Sequence, residues 1–257
     1  MTRRHFLKTS AALVAASPLL ARRAAAIGPE QKMAIMRIQY DGGWDVNPGA
    51  LEALSEVVRY RTSADAAPEQ LVVPLTSPRL HDSMFAFVAG DRPFSFSQEE
   101  RTRLERWLGL GGFMVFDNAG RTAPDQGFDR SVRTELQAMF PDSPLERVSP
   151  EHVIYRTFYR LDYPAGRAIF KPYIEGIRQG SRFAAVLCHN DLLGALSRDE
   201  QGNYLKVPTP GGENQREMAM RFGLNLMLYS SCLHYKDDQV HIDFLLHKRK
   251  WKITPPE

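Results

Sequence analysis

The 257-residue chain contains only two cysteines, Cys188 and Cys232, which excludes a disulfide-built scaffold and a cysteine-rich metal knuckle. A single bridge between them is not expected either. Cys188 ends an apolar strand pattern, and Cys232 follows the next helical pattern, which in a βα unit returns to the far end of the sheet. A disulfide needs Cα atoms within about 7 Å. Beyond the first 26 residues no run approaches the roughly 20 apolar residues of a membrane helix, so the mature chain is expected to have no transmembrane helix. Internal repeats and low-complexity segments are missing too, which excludes solenoids and fibrous arrays. An excess of one charge is also lacking. The formal charge is +3, of which Arg3, Arg4, Lys8, Arg22 and Arg23 contribute +5, so the remainder carries about −2. No nucleic-acid partner is expected of such a chain.

What is present begins with residues 1–26. A short basic stretch, Thr2-Arg3-Arg4-His5-Phe6-Leu7-Lys8, precedes the moderately apolar Ala11 to Leu20 and the small residues Ala24-Ala25-Ala26. This is the pattern of a twin-arginine signal peptide, and it implies export to the periplasm. Arg22-Arg23 just before the expected cleavage point favours that route over general secretion. Residues 27–247 are expected to form a single α/β domain, followed by a basic C-terminal tail, 248–257. Apolar residues at 43% and charged residues at 25% suit one globular core.

Five short apolar runs predict strands: Ala34 to Gln39, Leu71 to Leu75, Met84 to Ala89, Phe113 to Phe116 and Phe183 to Leu187. They are continuous rather than alternating, as in a sheet covered on both faces. Helical patterns lie between them. Asn47 with Pro48 is expected to start a helix ending near Arg61. Ser97-Gln98-Glu99-Glu100 is a capping box that opens a helix with Leu104, Trp107 and Leu108 on its buried stripe. Further helices are expected around Phe128 to Met139 and from about Asn214 to Tyr229. Alternation of this kind predicts a doubly wound, three-layer α/β/α fold with a mainly parallel sheet. Pro141 to Gly180 shows no period and reads as a long structured excursion. Val240 to Leu246 reads as a late strand.

In an open parallel sheet, ligands bind outside the carboxyl ends of the strands. The residues following the strands therefore become the candidates: Tyr40, Asp41 and Trp44 after the first, Asp117 and Asn118 after the fourth, and His189, Asn190 and Asp191 after the fifth. These eight form the expected ligand-binding set for a small polar ligand, a carbohydrate or a partner peptide. No cofactor is assigned by the sequence, but Asp117, His189 and Asp191 are an acceptable donor mixture for a divalent metal. Each one taken singly is also an ordinary turn or cap residue. Gly112 to Gly120 has the outline of a nucleophile elbow, yet Asp117 stands where a serine or cysteine would act. Cys188 beside His189 is not expected to be a nucleophile, because adjacent strand-end residues point apart. The remaining histidines form no metal motif.

Four segments together carry a family resemblance: Tyr40-Asp41-Gly42-Gly43-Trp44-Asp45-Val46-Asn47-Pro48; Phe94-Ser95-Phe96-Ser97-Gln98-Glu99-Glu100 leading to Gly111-Gly112-Phe113; Gly127-Phe128-Asp129-Arg130; and Lys236-Asp237-Asp238-Gln239-Val240-His241. Over about Ala34 to Leu246 the chain resembles the bacterial family called domain of unknown function 4159. The resemblance implies a flavodoxin-related fold like that of class I glutamine amidotransferases, and it brings no assigned activity or catalytic residues. Amidotransferases of that superfamily use a cysteine at the elbow, so their chemistry is not implied here. Fusions of relatives to membrane and von Willebrand-type modules imply a role at the cell envelope, by analogy alone. The sequence thus leads first to a non-catalytic binding domain. Two alternatives remain: a hydrolase, metal-assisted or using paired carboxylates such as Asp41 and Asp117, and a structural envelope protein using the aromatics between Tyr155 and Tyr173 as an interface.

Overall fold

The computed structural model describes residues 32–120 and 126–248, with side chains to residue 231. The whole described fold except Lys32 belongs to one compact unit, Met33–Glu257. The expected signal peptide and basic tail lie outside the described residues, apart from Lys248.

All five apolar runs form strands: β1 (Met36–Gln39), β2 (Leu71–Pro74), β3 (Phe85–Gly90), β4 (Phe113–Asn118) and β7 (Arg182–Cys188). Every residue of β3 and β4 is buried, as continuous apolar strands covered on both faces require. The excursion supplies two more, β5 (Glu146–Arg147) and β6 (Glu175–Gln179). The sheet order is β2-β1-β3-β4-β7-β6-β5. Strands β2 to β7 in that order pair in parallel, and β6 and β5 add on antiparallel. In register, Asp117 lies beside Ala89 on one side and Cys188 on the other. The ends of β3, β4 and β7 therefore share one level.

Helices cover both faces, in the expected three layers. On one face lie α1 (Ala50–Arg61), the short α4 (Leu192–Leu196) and α5 (Gly212–Lys248), whose Leu54, Leu193 and Phe222 join Phe113 and Val115 in one core. On the other lie α2 (Gln98–Gly109) and α3 (Gly127–Met139), whose Trp107 and Phe128 join Met114 and Phe116. Alternate residues of β4 thus feed opposite cores, as the period of two dictates. The capping box at Ser97 forms as its sequence predicts, with Glu100 donating its amide to Ser97 and accepting that of Ser97.

Three expectations are corrected. Helix α1 starts at Ala50 with Gly49 as its N-cap, while Asn47 takes a left-handed conformation at φ 58° and turns its side chain to other work. Val240 to Leu246 is not a strand but the last part of α5. A short apolar run is ambiguous between strand and helix, and with no glycine or proline between Leu224 and Lys248 nothing interrupts the helix that enters it. Cys232 consequently lies within α5 rather than after it, and Cys188 is a free, buried thiol. Among the described residues no helix is long and apolar enough to cross a membrane.

Candidate functional site

The switch point of this topology lies between the ends of β1 and β3, where strand order reverses and ligands commonly sit. Here the chain fills it. Tyr40 is buried and donates its hydroxyl to the Ala89 carbonyl (2.9 Å), with Phe94 and Phe96 packed on its ring. A Cβ at Gly42 would lie 2.7 Å from the Tyr40 ring, and one at Gly43 2.9 Å from the Asp91 carboxylate, so this loop closes onto the end of β3. Trp44 is half-buried against the second core, and Asp41 is exposed. Tyr40, being buried, offers no sugar-stacking face, and Trp44 lines neither the cavity beside the ends of β3 and β4 nor the groove along α1.

The opening is displaced by one strand. A cavity of about 510 Å3 lies beside the ends of β3 and β4, at Asp91, Ala119 and Gly120, with Arg167 and the segment Leu205-Lys206-Val207 opposite. A larger groove of about 740 Å3 runs along α1 beside Arg198 to Gly202. It includes no strand end, and within it Arg198 pairs with Glu56 (2.6 Å).

Beneath the smaller cavity sits a connected polar cluster. Asp117 is fully buried; its Oδ1 accepts the Leu192 amide and its Oδ2 the Leu193 amide, both at 2.8 Å. This carboxylate holds the first turn of helix α4 and, being fully buried, is not exposed at the cavity. Burial, followed by the negative charge of Asp191, pushes its pKa up to about 7. Asp191, left-handed at φ 53°, accepts from the Asn47 amide (2.8 Å) and the Gly194 amide (3.1 Å) and forms an ion pair with the Arg167 Nε. Asn47 in turn accepts from the Lys206 ammonium. Fully buried Arg37 holds the loop that carries Asn47, donating to the Val46 carbonyl (2.7 Å) and the Asn47 carbonyl (3.3 Å). Asparagine and aspartate tolerate the left-handed region better than other residues with a Cβ, which accounts for their presence at both turns.

The other candidates do not join this cluster. Asn118 caps its own turn, accepting the Gly120 amide at 3.0 Å. Asn190 pins the excursion: its oxygen accepts the Phe170 and Lys171 amides and its nitrogen donates to the Pro164 and Lys171 carbonyls. His189 lies between two carboxylates, its Nδ1 3.2 Å from Asp129 and its Nε2 2.9 Å from Glu175. Burial opposes its charge, but those two partners outweigh burial and raise its pKa. Both ring nitrogens thus face carboxylates other than Asp117 and Asp191, Nε2 without a well-formed hydrogen bond, and the three do not converge as a metal site. Among the described residues no group of three or more His, Cys, Asp or Glu side chains is placed to hold a metal ion. Burial and the Asp117 charge hold the Cys188 thiol pKa well above its usual range, the opposite of nucleophile activation.

Sequence reasoning missed Asn47 as a site residue, together with Arg167 and Lys206. The latter two come from aperiodic loops, where the only available signal was a basic side chain inside an otherwise aromatic or proline-flanked segment.

A parallel sheet ordered β2-β1-β3-β4-β7 between two helical layers, with a polar crevice at its carboxyl edge, defines a doubly wound, flavodoxin-like α/β protein. Residues 34–230 match the family model described as Domain of unknown function (DUF4159), and the chain belongs to that family. No curated protein matches it.

Proposed function

We propose that this chain is a non-catalytic binding domain that holds a small polar ligand at the carboxyl edge of its sheet. The observation that carries this reading is the pairing of an open crevice with immobilised polar walls. Arg167 is fixed by buried Asp191 and Lys206 by buried Asn47, and prearranged groups bind without first losing conformational freedom. A hydrolase finds less support. The carboxylate at the end of β4 is fully buried and holds two backbone amides, and the buried histidine at the next strand end sits between two carboxylates at ion-pair distance.

The test is native mass spectrometry of the protein recovered from its own host, beside an Ala119→Trp variant that fills the crevice. A stoichiometric small adduct, lost in that variant, is the expected result. A ligand-free protein whose melting temperature ignores a panel of carboxylates, phosphates, amines and neutral sugars would overturn the reading.

The domain is further proposed to work in the periplasm, on the strength of the Arg3-Arg4 pair and the apolar stretch behind it. Changing both arginines to lysine is expected to leave precursor in the cytoplasm, and undiminished export of that variant would reject the twin-arginine route.

A further inference from the structure

The walls of the crevice differ in kind. Arg167 commits its Nε to Asp191, while its two Nη atoms make no hydrogen bond among the described residues. That free edge is the fork that grips a carboxylate or phosphate through two parallel bonds. Its side chain is only 13% exposed, so the fork is held rather than waving in solvent. The backbone behind it is pinned by Gln215, whose Nε2 donates to the Gly166 (2.7 Å) and Arg167 (3.1 Å) carbonyls.

Lys206 faces the same cavity from the other segment. One of its three ammonium donors goes to Asn47, leaving two for a ligand. Its carbonyl is held by buried Arg216 (2.9 Å). Asp91, the one carboxylate among the described lining residues, has Arg92 as its ion partner (3.5 Å). With Arg167 paired to Asp191 and Arg92 to Asp91, Lys206 is the lining cation with no ion pair among the described residues, and the crevice favours an anion over a cation.

Leu205 and Val207 flank Lys206 and line the cavity too, 50% and 73% exposed. Large apolar side chains so exposed beside a cationic pair offer a flank at the rim of this mainly polar crevice for the body of a ligand. We infer that the crevice binds a small organic oxyanion, a carboxylate or phosphate carried on an apolar group. This inference rests on the binding-domain reading and narrows it to one ligand class.

Titration calorimetry at low salt tests it, using hexanoate and hexyl phosphate against acetate, inorganic phosphate, hexylamine and glucose. At least one of the two amphiphilic anions is expected to bind one to one, about tenfold tighter than its apolar-free counterpart. Which of the two binds more tightly identifies the headgroup. Lys206→Gln, which leaves the Arg167–Asp191 pair intact, should weaken binding about tenfold without shifting the melting curve. Arg167→Lys keeps the ion pair but removes the fork, and should cost a similar factor. Saturable binding of hexylamine or glucose alone, abolished by Ala119→Trp, would overturn the oxyanion inference while sparing the binding domain. Anion binding unchanged in both Lys206→Gln and Arg167→Lys would also overturn it. Silence from all six probes together with a ligand-free native protein would remove both.

Discussion

Asp117 lies at the end of β4, at the carboxyl edge of the sheet, and its chemistry is that of a buried cap. Its two amide partners favour the ionised form, but full burial and neighbouring Asp191 outweigh them and lift its pKa from 3.8 to about 7. The folded state then keeps a proton that the unfolded chain releases. Its contribution is therefore complete below about pH 4 and is lost as pH rises toward 7, on the order of a few kcal/mol. Asp117→Asn is expected to flatten the fall in melting temperature between pH 4 and 7; a slope identical to that of the parent protein would show that this carboxyl titrates normally. At this scale the sequence was half legible. It placed Asp117, Asn118, His189, Asn190 and Asp191 at strand ends, because apolar runs locate strand ends well. It could not say that most of these side chains turn inward, since a strand-end aspartate that caps a helix and one that meets a ligand have the same neighbours in sequence.

Among elements, the excursion between α3 and β7 is anchored in the first core by Val148, Ile154, Tyr155, Leu161 and Ile174, and a few polar ties add to that burial. His189 and Arg133 bind the carboxylates of α3 and β6 together: Arg133 lies 2.7 Å from Asp129, and its guanidinium donates to Glu175 at 3.2 Å. The Tyr173 ring closes the same group, 6.0 Å from the His189 ring. Burial alone would raise the Glu175 pKa, but His189 and Arg133 pull it down to about 2. Because His189 has a raised folded pKa, the stability it provides is full below its ordinary 6.5 and disappears as pH climbs through the folded value. His189→Gln should accordingly lose the stability decline seen above about pH 6.5 and melt lower than the parent protein at pH 6. An unchanged profile would mean that the imidazole is neutral in its pocket. A second tie is steric. A Cβ at Gly166 would lie 2.0 Å from the Asn190 carbonyl oxygen, so Gly166→Ala must push the excursion off the end of β7, and about 2–3 kcal/mol of destabilisation is expected in denaturant titration. Neither tie was readable in advance, because β5 is two exposed residues long and β6 carries arginine and glutamate in place of an apolar run.

At the scale of the molecule, legibility followed burial. Strands covered on both faces are largely apolar, so β3, β4 and β7 stood out, and β1 and the edge strand β2 were legible from shorter apolar runs. The β6–β5 edge and the loops above the sheet are instead specified by contacts distant in sequence, such as Asn47 with Asp191. The same gradient governs dynamics. Strand β4 lies in the middle of the sheet with both cores packed against it, and β3 and β7 share its burial. The β6–β5 extension pairs through only two residues of β5, both exposed. Local opening draws on elements with few buried contacts and spares those whose exposure requires global unfolding. Native-state hydrogen exchange should therefore find the amides of β3, β4 and β7 exchanging only through global unfolding, with those paired between β5 and β6 exchanging much faster. Addition of a ligand that fills the crevice should slow exchange at Arg167, Ala168 and Lys206, while β5 remains fast, because the ligand touches the loops that carry the two cations and not the far edge of the sheet. Equal protection across β4 and β5 would mean that the excursion folds as part of the central sheet, and the crevice wall it provides would then be a rigid feature of the core.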